Sequence, residues 1–161
     1  MKIAVLADTH DHVENTEKAL KEIKKKGVDT VIHAGDFCSP FMLPLFKGFK
    51  LKAVLGNNDA DVLRFHRMLK DVDYELEDHL LELTLNKKNI AVYHGTAMKI
   101  VSALAKSGDY DVVIHGHDHT VREEKVNDTI VVNPGSLNGF SKRGSYAILD
   151  LESLHVVVRE I

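Results

Sequence analysis

The alternation of apolar and polar positions predicts a chain that begins with strands and helices in turn. Short apolar runs rich in β-branched residues are typical of buried strands, and five lie at residues 3–7, 31–34, 53–55, 90–93 and 112–114. After the first run, apolar positions from Val13 to Ile23 recur at helical spacing, and Gly27 follows the last turn. We therefore predict a helix here, capped at its start by Asp11 and Glu14.

The remaining pattern predicts further helices and a strand-rich second half. Helical segments are expected at residues 39–46, 61–69 and 97–106. A polar turn at 86–89 joins residues 80–85 and 90–93 in a hairpin. Further strands are expected at 112–115, 122–126, 129–132, 146–151 and 154–159. This order of elements indicates a layered α/β fold with two packed sheets flanked by helices.

Composition bounds the domain organisation and the partners. The 161 residues are 44% hydrophobic and contain no Pro/Gly-rich linker, so we predict a single domain over residues 1–161. No apolar stretch reaches the roughly 20 residues of a membrane span, and no membrane association is expected. The single cysteine, Cys38, and the absence of a leader-like segment favour a cytoplasmic protein. The net charge of -3 argues against a stable nucleic-acid complex.

Potential metal ligands directly follow each of the five apolar runs. Because loops at the carboxyl ends of strands converge on one edge of a sheet, we expect these side chains to meet. Carboxylate, amide and imidazole donors together suit first-row divalent metals better than Ca²⁺. The pattern indicates a two-metal hydrolase, with seven candidate ligands: Asp8, His10, Asp36, Asn57, His94, His117 and His119.

The ordered motifs Asp-x-His, Gly-Asp, Gly-Asn, His-Gly and Gly-His-x-His resemble those of the calcineurin-like metallophosphoesterases. The resemblance covers nearly the whole chain. The short length, together with residues 56–59 and 133–136, is similar to the small bacterial and archaeal phosphodiesterase branch of that family. It implies a four-layer α/β/β/α sandwich of two mixed β-sheets flanked by helices.

The resemblance also implies how the ligands are shared. One ion would be held by Asp8, His10, Asp36 and His119, and the other by Asp36, Asn57, His94 and His117. Each subunit would bind two divalent ions, with Mn or Ni favoured and Fe, Co or Zn as alternatives. The expected reaction is hydrolysis of a small phosphodiester by a hydroxide that bridges the two metals.

Asn58 is a departure from the wider family, in which many members have His at this position. An amide cannot act as a general acid near neutral pH, but it can donate a hydrogen bond to a phosphoryl oxygen. Poor leaving groups such as alkoxides need protonation, so we expect a diester or another substrate with a stabilised leaving group rather than an unactivated monoester. We predict two catalytic residues: Asn58, for this contact with the substrate, and Asp36, which would contact both ions.

Two alternatives stay open. The same fold serves as a non-catalytic protein-binding scaffold in the retromer subunit that resembles this branch, and a phosphomonoesterase, including a phosphoprotein phosphatase, would use similar ligands. Retention of all seven ligand types favours the enzyme over the scaffold. A homo-oligomer is also possible, although no sequence feature locates an interface.

Other residues near the motifs have simpler explanations. We expect His33 and His115 to be buried neighbours of the site rather than ligands, because both lie within strand runs. Cys38 is expected to be a small buried side chain. Asp118, between two ligands, is expected to be solvated or to support a ligand.

Overall fold

The computed structural model describes residues 1–68, 74–138 and 143–161 and contains two β-sheets. Their strands, in chain order, are β1 (Lys2–Leu6), β2 (Thr30–His33), β3 (Lys50–Val54), β4 (Tyr74–Glu77), β5 (Leu80–Leu85), β6 (Lys88–Tyr93), β7 (Val112–Ile114), β8 (Arg122–Val126), β9 (Thr129–Asn133), β10 (Ser145–Asp150) and β11 (His155–Glu160). The helices are α1 (Val13–Lys25), a 3-10 helix (Pro40–Phe46), α2 (Val62–Met68) and α3 (Met98–Ser107).

Both sheets are mixed. The six-stranded sheet has the order β11-β10-β1-β2-β3-β4, in which β1 to β4 run parallel and the two carboxyl-terminal strands are antiparallel. The five-stranded sheet has the order β5-β6-β7-β9-β8, with parallel pairing of β6, β7 and β9 at its centre. The parallel strands of both sheets therefore present several carboxyl ends together, which is where ligands collect in α/β proteins.

Three layers of apolar side chains hold the sheets and helices together. One core lies between the two sheets and includes Val5 and Ile32 from the first sheet and Val92 and Ile114 from the second. A second core packs α1, the 3-10 helix and α2 on the outer face of the six-stranded sheet. A third packs α3 on the outer face of the five-stranded sheet. The predicted four-layer α/β/β/α sandwich is confirmed.

Two local predictions were wrong or incomplete. Asp11 does not cap α1; the N-cap is His12, whose Nδ1 accepts the backbone N–H of Asn15, while the Asp11 carboxylate accepts both the backbone N–H and the hydroxyl of Ser39. The strand β4 was not predicted. The helix predicted at residues 61–69 corresponds to α2, and its predicted last residue, 69, lies outside the described residues. Within the described residues, no helix is long and apolar enough to cross a membrane.

Candidate metal centre

The seven predicted ligands lie in loops at the carboxyl ends of β1, β2, β3, β6 and β7. Backbone hydrogen bonds join these loops within each sheet: Asp8 N–H donates to the Gly35 carbonyl at 3.0 Å, and Gly116 N–H donates to the His94 carbonyl at 2.8 Å. Across the sheets, the backbone N–H of His117 donates to Oδ2 of Asp8 at 2.9 Å. The two sheets are thus fastened together at the edge where the ligands meet.

The first group of donor atoms contains Asp8, His10 and His119. Oδ1 of Asp8 lies 3.4 Å from Nε2 of His119 and 3.7 Å from Nε2 of His10. The two imidazole Nε2 atoms are 3.2 Å apart. Three potential ligand atoms from two sheets therefore converge on one small volume.

The second group lies around His94. Its Nε2 is 3.3 Å from Oδ2 of Asp36 and 3.1 Å from Oδ1 of Asn57. The His117 ring approaches the same imidazole edge-to-face, with centroids 5.2 Å apart. Donor atoms of Asp8, Asp36 and His94 also lie within 4.8 Å of one another, so the two groups adjoin.

Asp36 lies between the two groups. Its Oδ2 is 3.5 Å from Nε2 of His10 in the first group and 3.3 Å from Nε2 of His94 in the second. The side chain is almost fully buried. A carboxylate in this position can face two cations at once.

Metal ions would satisfy these potential ligand atoms better than hydrogen bonds within the protein do. Oδ1 of Asp8 is buried and has no hydrogen-bond partner among the described residues, which is costly for a charged oxygen. Nδ1 of His94 is 2.7 Å from the Ala34 carbonyl and must donate its proton there, so the lone pair of Nε2 faces Asp36 and Asn57. Buried potential ligand atoms that face one another in this way are what a metal centre requires.

The pKa shifts of three candidate ligands are also consistent with a site that binds cations. The neighbouring carboxylate of Asp8 raises the pKa of His10 above its ordinary value despite burial. Burial lowers the pKa of His94, but its contact with Asp36 outweighs this effect and the pKa is raised. Burial raises the pKa of Asp36, yet His94 and Asn58 hold it well below the usual range. The carboxylates of Asp8 and Asp36 therefore favour positive charge on the groups that surround them.

Backbone strain is concentrated in the same loops. Left-handed φ values are uncommon outside glycine and cost free energy, so a cluster of them indicates a functional constraint. Five of the seven predicted ligands have positive φ: Asp8 (53°), His10 (42°), Asp36 (61°), His117 (74°) and His119 (55°).

The glycines of the motifs are needed for close approach. A Cβ on Gly116 would lie 2.6 Å from Oδ2 of Asp8, and a Cβ on Gly56 would collide with the Asp36 carboxylate. Gly116 of the Gly-His-x-His motif and Gly56 of the Gly-Asn motif are therefore required because their loops pack directly against the carboxylates of Asp8 and Asp36.

Several supporting residues were not predicted in their observed roles. Asp59 is buried, and its carboxylate accepts backbone N–H groups from Gly56, Asp36 and Cys38 at 2.6, 2.9 and 2.7 Å. The only sequence signal for Asp59 was its place beside Asn58. Ser136 donates its hydroxyl to the Asp8 carbonyl at 2.9 Å, which ties the loop after β9 to the site.

Asn58 and Cys38 each contact a candidate ligand, which the sequence did not indicate. Asn58 donates its side-chain amide to Oδ2 of Asp36 at 2.8 Å and its backbone N–H to Oδ1 at 2.9 Å. Cys38 is only partly buried, and its Sγ lies 3.2 Å from Nδ1 of His10. The prediction of a simply buried Cys38 was therefore incomplete, because the thiol contacts a candidate ligand.

The other neighbours lie as predicted. His33 and His115 are fully buried, and burial lowers the pKa of both. Asp118 is exposed and accepts the amide of Asn133 at 2.7 Å, while it pairs with Arg122 at 3.2 Å. Its carboxylate supports the loop that carries His117 and His119.

Comparison with known proteins gives a consistent result. A family model described as the calcineurin-like phosphoesterase superfamily domain matches residues 1–154. A phosphodiesterase from Methanocaldococcus jannaschii is 37% identical over 143 residues, which cover 87% of this chain and 86% of that protein.

Solved structures resemble the whole chain. A structure described as a novel archaeal phosphodiesterase superposes with a TM-score of 0.94 and 34% identity, with complete coverage of both chains. Vps29 from Chaetomium thermophilum superposes with a TM-score of 0.73 at 16% identity, covering 100% of this chain and 95% of the other. The second likeness shows the fold alone.

Proposed function

The chain belongs to the calcineurin-like phosphoesterase superfamily, and from this membership we propose that it is a metal-dependent phosphodiesterase acting on a small phosphodiester. The observation that carries the proposal is the position of Asp36 between two groups of nitrogen and oxygen donors. The 37% identity to a phosphodiesterase over most of both chains supports the same reaction class.

We assign the ligands as two sets that share one carboxylate. Asp8, His10, Asp36 and His119 would hold one divalent ion, and Asp36, Asn57, His94 and His117 would hold the other. Mn²⁺ or Ni²⁺ is favoured, with Fe, Co or Zn as alternatives, because the set combines imidazole, amide and carboxylate donors. A cytoplasmic location, a single domain and a possible homo-oligomer stay predictions.

When bound, the two ions would activate a water molecule and neutralise charge on the phosphoryl group. The chain's own residues prepare the site for this chemistry. The carboxylates of Asp8 and Asp36 bring the only formal charges among the proposed ligands, so two divalent ions leave the centre positive and able to bind a phosphate ester. An overall acidic protein can thus recognise an anionic substrate locally.

Asn58 has a positioning role in this proposal. It holds both oxygens of Asp36, and its amide nitrogen carries a second N–H, which we assign to a phosphoryl oxygen of the substrate. The amide supplies no proton to the leaving group near neutral pH. Substrates whose leaving group is already stabilised are therefore favoured over alkyl monoesters.

The test is hydrolysis by chelator-stripped protein with and without added Mn²⁺ or Ni²⁺. An activated aryl phosphodiester and the corresponding monoester would be compared under the same conditions. The proposal predicts activity that returns with metal and favours the diester. A preference for the monoester would support the phosphomonoesterase alternative, and no turnover of either substrate by metal-loaded protein would support the scaffold.

A further inference from the structure

A cavity of about 300 Å³ adjoins the Asn57 and His94 side of the metal centre. It extends from these two residues between the loop after β3, the start of α2, the turn between β4 and β5, and the end of β6. We call it the side pocket and define it by Leu55, Val62 and Tyr93 on its wall and His79 on its rim. None of the ligand assignments above uses these four residues.

The wall of the side pocket presents carbon surface held in a fixed position. Leu55 is buried and Val62 is half-buried. The hydroxyl of Tyr93 is hydrogen-bonded to Oγ1 of Thr96 at 2.6 Å and accepts the backbone N–H of Ala97 at 3.1 Å. Because the polar atom of Tyr93 is already engaged, its ring offers an apolar face to whatever enters the pocket.

The charges around the side pocket disfavour a second anionic group. No Lys or Arg is found among the described residues that line it, whereas Asp59 and Asp78 do line it. The carboxylate of Asp59 is engaged by three backbone N–H groups, and that of Asp78 lies 2.8 Å from Nε2 of His66. An uncharged group can be accommodated here without repulsion from these carboxylates, both of which already accept hydrogen bonds or lie beside an imidazole.

The volume of the side pocket further limits the size of the group that can bind in it. At about 300 Å³ it stands at the small end of the range of about 300–1,000 Å³ for small-molecule sites. Aromatic side chains bind flat rings by stacking or edge-to-face contact, and Tyr93 and the exposed imidazole of His79 both line this volume. These lining rings, in a volume this small, favour a single ring as the bound group.

We propose that the side pocket binds an uncharged, planar ring carried by one ester group of the substrate, while the phosphate lies on the adjoining metal centre. This inference rests on the proposed phosphodiesterase function and narrows its substrate class to ring-bearing diesters. Val62, Tyr93 and His79 then determine which ester group is preferred, whereas Asn57 and His94 bind metal.

The test measures binding rather than turnover. Inorganic phosphate, methyl phosphate and phenyl phosphate would each be titrated calorimetrically into Mn²⁺-loaded protein. Phenyl phosphate is expected to bind about five- to tenfold more tightly than methyl phosphate, because its ring enters the side pocket. The ratio of the two dissociation constants is the readout.

Two variants and one matched control locate the effect. Val62→Trp fills the side pocket, and His79→Ala removes an exposed ring from its rim without touching the core, so both are expected to bring the ratio close to one. Leu63→Trp places the same bulk on the neighbouring residue of α2, which is 72% exposed and does not line the pocket, so the ratio should stay as in the wild type.

The outcomes separate the two proposals. A wild-type ratio near one, or a ratio that neither variant lowers, overturns the assignment of the side pocket. Inorganic phosphate reports on the metal centre alone, so Mn²⁺-loaded protein that binds no phosphate contradicts the proposed function together with this inference. Phosphate binding with a ratio of one contradicts only the side pocket.

Discussion

Asp59 holds Asp36 in place through the backbone: Oδ2 of Asp59 accepts the N–H of Asp36 at 2.9 Å. The same oxygen accepts the N–H of Gly56, and Oδ1 accepts that of Cys38. One buried carboxylate thereby joins the loop after β2, which carries the proposed shared ligand, to the loop after β3, which carries Asn57. The distance between these loops therefore depends on a residue that is not itself a proposed ligand.

We expect Asp59→Asn to lower both stability and turnover. An amide replaces one acceptor oxygen with a donor that faces a backbone N–H, and leaving such a buried group unsatisfied costs about 1–3 kcal/mol of unfolding free energy. Displacement of Asp36 and Asn57 should reduce diester turnover at least about tenfold. Urea unfolding and steady-state kinetics measure the two effects. The matched control is Asp109→Asn, an exposed change before the amino end of β7 in the other sheet, and equal behaviour of the two variants would refute the role of Asp59.

Asp36→Asn tests the shared carboxylate itself. The neutral amide weakens the attraction for both ions, so turnover at saturating Mn²⁺ should fall by about 100-fold or more. The metal-free variant should still fold but be less stable than the wild type by about 1–3 kcal/mol, because one acceptor oxygen for the N–H groups of Asn58 becomes a donor. Thermal unfolding in chelator checks the fold. Wild-type turnover with full metal content would show that Asp36 is not the bridge.

Asn58→His should widen the range of leaving groups. The introduced imidazole can donate a proton, so activity toward the monoester should rise relative to the diester, and a new ionisation near pH 6.5, about the ordinary pKa of His, should enter the pH profile. The ratio of kcat/KM for the two substrates across pH 5.5–8.5 is the measurement. If neither the ratio nor the profile changes, Asn58 does not lie at the reacting centre.

His33 makes stability depend on pH. Its buried ring stacks on Phe37 with centroids 3.6 Å apart, and burial lowers its pKa from 6.5 to about 3. Between these two pH values His33 is protonated in the unfolded chain but neutral in the folded chain. The contribution of His33 to the free energy of unfolding is therefore fully present above pH 6.5. It is lost as the pH falls, by about 1.4 kcal/mol per pH unit.

Replacement of His33 should therefore flatten the pH dependence. Urea unfolding of chelator-treated His33→Gln at pH 7, 6 and 5 is expected to give a shallower slope than the wild type, whatever the change in absolute stability. His155→Gln removes an exposed imidazole and should leave the slope unaltered. A wild-type slope in the His33 variant would mean that this ring is protonated inside the fold.

Much of the fold and of the site could be predicted because both follow from strand ends. The runs ending near Ala7, Ala34 and Leu55 are almost wholly apolar, as buried parallel strands are, and the next polar residues are the proposed ligands. The order of the motifs along the chain then indicated the family and how the ligands would be shared. Convergence of Asp8 with His119 across two sheets follows from the layer order that the family resemblance implied.

What was missed depends on contacts between distant loops or on weak local patterns. The edge strand β4 has the sequence YELE and buries only Leu76, so it has little of the apolar signal of a strand. Asp11 has the composition of a helix cap, but its φ of 58° and its two bonds to Ser39 place it in a contact between loops instead. Two of the three backbone bonds of Asp59, those to Asp36 and Cys38, join residues 23 and 21 positions apart, which no local pattern records.

The most direct test of the dinuclear phosphodiesterase is to titrate metal-free protein with Mn²⁺ while bound metal and aryl diester hydrolysis are measured on the same samples. We predict that turnover rises with occupancy of the second ion and reaches its maximum at two ions per chain. Full turnover at one ion per chain, or two bound ions with no hydrolysis of the diester, would contradict the shared-carboxylate centre as the catalyst.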